Sequence, residues 1–245
     1  MRGHRPIVAL LLAAIAAQRL AGAAPAAKCA DPECRGPECV GLVTQSRPEV
    51  NGTMPGGPPR LLPNQEPVCL HMKVATLKEA GADIDIGKSH SGVHGVVRMF
   101  ENSRLEFDRW VVGQVGLSEA RFLAQLGNFQ FYFVTPPRHA GKVQIVTPSG
   151  AILDLRGTYV CLEVRPEGTT VAVLEGLVIA RSAAGGTVRL SRGSWTRIVP
   201  GKPPRPPSPL TGLMSPQAGG LTLPPLVVDP PYDLSRLQLP KAMRP

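Results

Sequence analysis

Apolar and polar residues alternate most clearly along residues 157–180 of the chain. Val160, Leu162 and Val164 occupy every second position, and side chains two residues apart point to the same face of a β-strand. The turn-forming sequence Pro-Glu-Gly at 166–168 interrupts the alternation, which then resumes. This stretch therefore predicts a β-hairpin with one buried face.

A similar pattern extends over residues 68–199, where Val, Ile, Leu, Phe and Thr form short runs between Gly, Pro, Asn or Ser. Runs of this kind, repeated about every 8–12 residues, are typical of a β-sandwich or of a sheet wound into stacked layers. We therefore predict an all-β fold, either a two-sheet sandwich or a solenoid-like wound sheet, with a single core. The predicted strands are Val68–Val74, Val93–Phe100, Leu105–Phe107, Trp110–Val115, Phe129–Val134, Val143–Thr147, Ala151–Leu155, Thr158–Val164, Thr169–Leu174, Leu177–Ala180, Thr187–Leu190 and Trp195–Val199.

One stretch of this region has the pattern of a short helix. Leu117, Phe122 and Leu126 are spaced so that they can share one helical face, with Ser118 as the N-cap and Glu119 in the first turn. We expect one or two helical turns there, between Ser118 and Leu126.

The first 23 residues have the three parts of a secretory signal peptide. Arg2 and Arg5 form a basic start, residues 7–17 form an apolar segment of eleven residues, and small residues at 21–23 supply a cleavage site. A membrane-spanning helix needs about 20 apolar residues, so this segment is too short to be one. The sequence predicts an exported protein, periplasmic or extracellular, without a transmembrane span.

Two other segments contain few large apolar residues. Residues 24–67 are rich in Cys, Pro and Gly and predict a disordered linker. Thirteen of the 27 prolines lie in residues 200–245. Because proline fixes φ and lacks an N–H, this segment predicts a disordered or polyproline-like tail. The predicted organisation is a signal peptide (1–23), a linker (24–67), a β domain (68–199) and a tail (200–245).

The net charge of +9 suggests nucleic-acid binding until the charges are located along the chain. Three of the basic residues belong to the signal peptide and five to residues 200–245. Residues 24–199 keep nineteen basic and sixteen acidic residues, with the two signs interspersed. This is an ordinary solvated surface, and we predict no nucleic-acid partner.

The chain has five cysteines, of which Cys29, Cys34 and Cys39 recur every five residues. In an oxidising compartment we expect disulfides among these three and Cys69, although the sequence leaves the pairing open. The spacing differs from the two-residue gap of zinc sites, which makes metal binding the weaker alternative. The fifth cysteine, Cys161, lies within a predicted strand.

The histidines and paired carboxylates form no recognised catalytic pattern. His90 and His94 lack the neighbouring Glu of an H-E-x-x-H zinc site. Asp83 and Asp85 would lie on one side of a strand, but too few further oxygen ligands are nearby for calcium. We interpret both carboxylates as exposed turn residues and predict neither a metal nor a cofactor.

A thiol-dependent reaction is the one enzymatic alternative that the sequence offers. It would use Cys161 with a partner such as His139. A cysteine in the middle of a strand is more often structural than catalytic. We therefore predict that the chain is not an enzyme.

Four short motifs occur in order along residues 143–199: Thr-Pro at 147–148, Arg-Gly-Thr at 156–158, Val-Leu-Glu-Gly-Leu-Val at 173–178 and Arg-Gly at 192–193. In this order and spacing they resemble the FecR domain, the periplasmic part of bacterial iron-uptake regulators. The resemblance implies a layered β fold outside the cytoplasm, without catalytic residues. We expect structural roles for the matching residues, which are Thr147, Pro148, Arg156, Gly157, Thr158, Glu175, Gly176 and Gly193.

The chain departs from these regulators in its N-terminal part. They usually carry a cytoplasmic domain that holds a sigma factor, followed by a membrane span, whereas an export signal and a cysteine-containing segment stand here instead. The resemblance therefore implies an exported FecR-like domain on its own.

Taken together, the sequence predicts an exported, noncatalytic β domain that binds a protein or an envelope component through a sheet edge or face. Periplasmic signalling or iron-uptake regulation is the role that the resemblance implies. The alternatives are a structural module of the cell envelope with a proline-rich spacer, and the thiol-dependent enzyme.

Overall fold

The computed structural model of the chain describes residues 38–86, 94–113, 116–134 and 141–210. The predicted signal peptide, Cys29, Cys34, His90 and His139 lie outside the described residues. The fifteen strands of the described residues are β1 (Cys39–Ser46), β2 (Val50–Thr53), β3 (Arg60–Leu61), β4 (Pro67–Cys69), β5 (Lys73–Thr76), β6 (Ala82–Ile86), β7 (His94–Met99), β8 (Arg104–Gly113), β9 (Gly116–Val134), β10 (Lys142–Val146), β11 (Ala151–Arg165), β12 (Gly168–Ser182), β13 (Thr187–Ser191), β14 (Ser194–Ile198) and β15 (Ser208–Pro209). The all-β prediction is confirmed.

All fifteen strands belong to one hydrogen-bonded sheet, and their pairing divides it into two layers. The first layer has the order β15-β14-β12-β11-β9-β7-β6-β1-β4. The second has the order β13-β12-β11-β10-β9-β8-β5-β2-β3. The long strands β9, β11 and β12 belong to both layers, and only β9 and β10 pair in parallel.

The long strand β9 changes layer at Gly127. Between Ala120 and Ala124 the buried apolar residues have even numbers; after Gly127 the buried apolar residues have odd numbers, from Phe129 to Phe133. Gly127 has a φ of 110°, and a Cβ there would lie 2.5 Å from the Cα of Ser103. A glycine is therefore required where the core-facing side of the strand switches.

A cluster of aromatic rings joins the two layers. Phe122, in the second-layer half of β9, lies 5.9 Å from Phe131 and 5.7 Å from Phe133, which belong to the first layer. Phe107 of β8 meets Phe122 edge to face at 5.6 Å. Aromatic pairs at such distances add to the stabilisation that burial provides. The layers thus face each other across one apolar core.

The predicted helix between Ser118 and Leu126 is wrong, because this stretch is part of β9. Strand β8 pairs with it on one side and β10 on the other. Ala120, Phe122 and Ala124 are buried at alternate positions, so a strand buries this sequence better than a helix would.

The predicted linker also needs correction, because about two thirds of it is part of the β domain. Residues 38–67 contain β1, β2 and β3, and they bury Val40, Val43, Val50 and Leu62 almost completely. Most prolines and glycines in this segment lie between the short strands, at positions 48, 55–59 and 63, where they are favoured, whereas Gly41 and Gly52 lie within β1 and β2. Residues 24–37 lie outside the described residues.

The two cysteines of this region support the disulfide prediction. Cys39 and Cys69 are both disulfide-bonded. They lie opposite each other in the β1–β4 pairing. Cys161 is a free, buried thiol.

The first part of the predicted disordered tail is also ordered. The hydroxyl of Thr196 donates to the carbonyl of Arg205 at 2.6 Å, and the N–H of Arg205 donates to the carbonyl of Arg197 at 3.3 Å. Pro204 is buried, and β15 pairs with β14. Because proline is compatible with an edge strand, residues 200–210 cover the β14 edge of the first layer. The remainder, 211–245, lies outside the described residues.

Strands β11 and β12 bend from one layer to the other at Gly157 and Gly176, where their register shifts, and this bend gives a prediction about stability. A Cβ at Gly176, where φ is 79°, would lie 2.0 Å from the carbonyl oxygen of Gly157. We expect Gly176→Ala to lower the free energy of unfolding by about 3 kcal/mol, through backbone strain and overpacking. The control is Gly193→Ala, where φ is 78° and nothing lies within 4 Å, so only about 1 kcal/mol is expected. Equal losses in urea unfolding of the two variants would contradict the proposed role of the contact.

Candidate functional site

The residues that carry the FecR resemblance lie at turns and bends of the sheet. The hydroxyl oxygen of Thr147 lies 2.9 Å from that of Ser149 and 2.7 Å from that of Thr169, and all three residues are buried. This cluster fixes the turn after β10 against β12. Pro148 is exposed within the same turn.

The remaining matched residues surround the bend between the layers. Arg156 and Gly157 are exposed, whereas Thr158 is buried. Glu175 is exposed on β12, directly before Gly176. Their places fit structural roles at the bend.

Gly193, the last of the matched residues, lies in the exposed turn between β13 and β14. The structure therefore does not bring the matched residues together into one site.

The outer face of the first layer is the face that points away from the core, and it carries a row of side chains in cross-strand register. Asp83 pairs with Arg98, and Arg98 pairs with Gln130. The row continues from Gln130 to Cys161. It then passes through Ala172 on β12 to Trp195 on β14. The row is polar at its β6 end and apolar at its β14 end.

The interpretation of Asp83 and Asp85 as exposed turn residues is wrong, because both lie in β6 and Asp85 is half-buried. The more deeply buried of the two is Asp83. Both of its carboxylate oxygens accept hydrogen bonds of 2.8 Å from the guanidinium of Arg98. The side chains are only 6% and 21% exposed, so the pair is largely desolvated. Two-point pairing of this kind is strong and fixes the geometry of both groups. The sequence pattern missed it because the partner lies on the next strand.

Several buried polar atoms on this same face have no hydrogen-bond partner. Native structures leave few such atoms, because shielding a polar group from water without a partner costs about 1–3 kcal/mol. The atoms are Asn128 Oδ1, Gln130 Oε1, Tyr159 OH, Trp195 Nε1 and Arg197 Nε. All five project outward from the first layer, because their strand neighbours Phe129, Phe131, Val160, Thr196 and Ile198 are buried on the inner side.

A cleft of about 790 Å³ opens at the polar end of this face. It lies where β1, β7 and β11 end and β6 begins, and we call it the polar cleft. Six charged residues line it: Arg47, Glu79, Asp83, Arg98, Glu101 and Arg165. Asn128, whose carboxamide oxygen has no hydrogen-bond partner, also lines the cleft.

The charges of the polar cleft differ in how far they are neutralised. Asp83 and Arg98 neutralise each other, and Arg165 lies 3.3 Å from Glu163. Glu101 accepts a hydrogen bond from the backbone N–H of Glu79 at 2.9 Å. The cleft therefore offers groups of both signs at its rim, above a fixed ion pair.

The chemistry of Cys161 and Tyr159 is that of buried, protonated groups. Burial raises the pKa of the Cys161 thiol to about 12, against a smaller opposing effect of a hydrogen bond with Gln130. Burial likewise raises the pKa of Tyr159 to about 12. A thiol nucleophile requires a lowered pKa, so Cys161 is poorly suited to catalysis. Its suggested partner, His139, lies outside the described residues.

In the part of the chain that the structure describes, no three His, Cys, Asp or Glu side chains are grouped so that they could hold a metal ion. No helix of the described residues has the length and apolar character to cross a membrane.

Comparisons with known proteins give limited similarity. No protein-family model matches the chain, and neither does any curated protein. Two crystal structures of a proposed anti-sigma factor from Parabacteroides distasonis ATCC 8503 are similar to it, each with a TM-score of 0.44 and 10% sequence identity. The aligned regions cover 57% and 58% of this chain, and 62% and 63% of the other. The chain thus spans less than two thirds of their length, and the FecR resemblance stays a prediction.

The Asp83–Arg98 pair can be tested by a double-mutant cycle. We expect Asp83→Ala to lower the free energy of unfolding by about 3 kcal/mol, because it leaves a largely buried guanidinium without its counter-ion. In Asp83→Ala/Arg98→Met the charge is gone as well, and the loss should be smaller than the sum of the two single losses. Additive losses in urea unfolding at pH 7 would show that the pair does not couple the two strands.

The protonated state of Cys161 can be tested by alkylation. At pH 8 a pKa near 12 leaves roughly 1000-fold less thiolate than the usual value of 9. We expect iodoacetamide to modify Cys161 at least that much more slowly in the native protein than in urea, as measured on the peptide that contains it. If Cys161 were alkylated at comparable rates in the native and the unfolded protein, it would not be a buried, protonated thiol.

Proposed function

We propose that this chain is an exported, noncatalytic binding domain that holds a charged segment of a partner protein in the polar cleft. The cleft itself is the observation that carries this proposal. Its volume of about 790 Å³ lies within the range of ligand pockets, and its rim presents charged groups of both signs.

The residues that line the cleft favour a protein as the partner. Asn128 Oδ1 is an acceptor without a donor, and the Asp83–Arg98 pair holds the neighbouring strands in place. A polypeptide supplies N–H donors from its backbone and charged groups from its side chains. Binding to such a segment satisfies the acceptor and neutralises the rim, and it needs no movement of the sheet.

The buried thiol supports the noncatalytic part of the proposal. Cys161 is 7% exposed and protonated at neutral pH, so it does not supply a nucleophile. The spacer alternative has less support for residues 202–210, because these residues are hydrogen-bonded to the domain. We propose that binding serves signalling in the cell envelope, which is the role that the FecR resemblance implies.

The test is selection of peptides against the full chain. We expect a displayed library of random twelve-residue peptides to yield binders with charged side chains. Arg47→Ala and Glu101→Ala at the rim of the cleft should each weaken their binding by about 10-fold, as measured by calorimetry.

The matched control is Arg192→Ala, in the exposed turn between β13 and β14 and outside the cleft, which should leave the affinity unchanged. Circular dichroism confirms that each variant is folded. If no peptide binds, or if the rim variants bind as well as the wild type, the polar cleft is not the binding site. If envelope glycans bind in the cleft and peptides do not, the partner is a glycan and not a protein.

A further inference from the structure

Strand β13 is an open end of the second layer. The end strands of the two layers are β15 and β4 in the first and β13 and β3 in the second. Strands β15 and β3 have two residues each, and β4 has three, the first of which is Pro67. Strand β13 has five residues, none of them proline, and in the described chain it pairs only with β12. Of the four end strands it therefore offers the longest backbone to a further strand.

The backbone groups that β13 presents at this end follow from its pairing with β12. The N–H of Ser182 donates to the carbonyl of Gly186 at 3.4 Å. Hydrogen-bonding residues alternate along an antiparallel strand, so the backbone of Val188 points toward β12. The N–H and C=O groups of Thr187 and Arg189 then point away from β12, and no other strand of the described residues meets them. We call these groups the β13 edge.

The side chains of β13 divide between the two sides of the second layer. Thr187, Arg189 and Ser191 are exposed on the side away from the core. Leu190 is fully buried, and Val188 is half-buried against the core. A strand added at the β13 edge would continue this division, because side chains of neighbouring strands lie beside each other on the same face. The edge therefore fits a segment that alternates polar and apolar residues.

The charge around the β13 edge has one sign. Residues 176–210 contain no acidic residue and six basic ones, which are Arg181, Arg189, Arg192, Arg197, Lys202 and Arg205. In the described chain only the first of them forms an ion pair, with Asp154. Four of the other five are exposed. Because these charges are not neutralised within the chain, they attract acidic partners.

We propose that the β13 edge binds an acidic, extended segment of a partner protein as an added strand. The backbone groups of Thr187 and Arg189 pair with the segment. Its acidic side chains lie beside the Arg189 guanidinium, and its apolar side chains cover the half-buried Val188. None of the residues that line the polar cleft belongs to β13, so this site is separate from the cleft and does not depend on it.

The occupant is an acidic polypeptide and not a second copy of the chain. Two copies joined at their β13 edges would bring Arg189 of each toward the basic residues of the other, and like charges across an interface are unfavourable. An acidic segment removes this repulsion and uses the same backbone groups.

Methylated peptides test whether the backbone of the segment is used. The probe is a seven-residue peptide with blocked ends that alternates Glu and Val, and it is compared with two forms in which either every Glu or every Val amide is N-methylated. Alternate N–H groups of an added strand face the edge, so only one of the two sets is needed for pairing. By calorimetry with the full chain, we expect one methylated form to bind like the unmethylated peptide and the other about 10-fold more weakly. A peptide with Lys in place of Glu should not bind.

Variants of the chain test where the peptide binds. Thr187→Pro removes an N–H that points away from β12, at the first residue of an edge strand, where proline is tolerated; it should weaken binding about 10-fold. Arg189→Glu reverses a charge beside the bound segment and should weaken binding by about 10-fold as well. The matched control is Arg104→Glu, which makes the same change of charge at an exposed residue of β8 and should leave the affinity unchanged. Circular dichroism confirms that each variant is folded.

Each other outcome overturns the proposal. Absence of peptide binding, equal binding of the two methylated forms, or equal effects of Arg189→Glu and Arg104→Glu would show that no strand is added at the β13 edge. A dimer of the full chain that dissociates in Thr187→Pro, as measured by sedimentation velocity, would assign the edge to a second copy. Binding of anionic phospholipid vesicles without binding of the peptide would assign the basic surface to a membrane.

The two proposed sites are distinguished on the same samples. Arg47→Ala should weaken binding in the polar cleft and leave the Glu-Val peptide bound, whereas Arg189→Glu should have the opposite effects. If Arg47→Ala weakens binding of the Glu-Val peptide and Arg189→Glu does not, the peptide binds in the polar cleft and the β13 edge is not its site.

Discussion

The close approach of Gly176 to the carbonyl of Gly157 is the contact on which the architecture depends. Strands β11 and β12 pair with each other on both sides of this point. Before it, β11 also pairs with β10 in the second layer; after it, β11 pairs with β9 in the first layer. A side chain at Gly176 would occupy the position of the Gly157 carbonyl oxygen. The missing Cβ therefore lets two long strands turn together from one layer into the other, and Gly127 provides the same change for β9.

This arrangement also determines which residues reach the outer face. At Gly127 the core-facing side of β9 switches from even to odd positions, so Gln130 points outward while Phe129 and Phe131 enter the core. Register with β7 and β11 then aligns Gln130 between Arg98 and Cys161. The candidate site is thus a consequence of the switch at Gly127, because without it Gln130 would point into the core among the phenylalanines.

Local pattern was sufficient for the hairpin of β11 and β12, in which Arg165 pairs with Gly168, but the prediction of one buried face was wrong, because Tyr159, Cys161 and Ala172 on the outer face are buried as well. It was insufficient for the stretch from Ser118 to Leu126, whose apolar spacing fits a helix, because the flanking strands that select a strand are distant in sequence. The prediction of a linker over residues 38–67 was wrong because most of its Pro and Gly lie in the turns between short strands that pair with distant parts of the chain. The Asp83–Arg98 pair and the polar cleft depend on strands distant in sequence, and alternation within one strand carries no information about them.

The two ends of the outer face differ in their chemistry. At the polar end, Asp83 and Arg98 already neutralise each other, so a ligand gains by meeting the rim charges and the free acceptor of Asn128. At the apolar end, Cys161 is 7% exposed and Ala172 is 1% exposed, so little water reaches their side chains. The apolar end therefore offers little surface to a partner, whereas the open, charged cleft offers groups that a partner can bind. The first layer therefore combines a closely packed apolar half with an open, charged half suited to recognition.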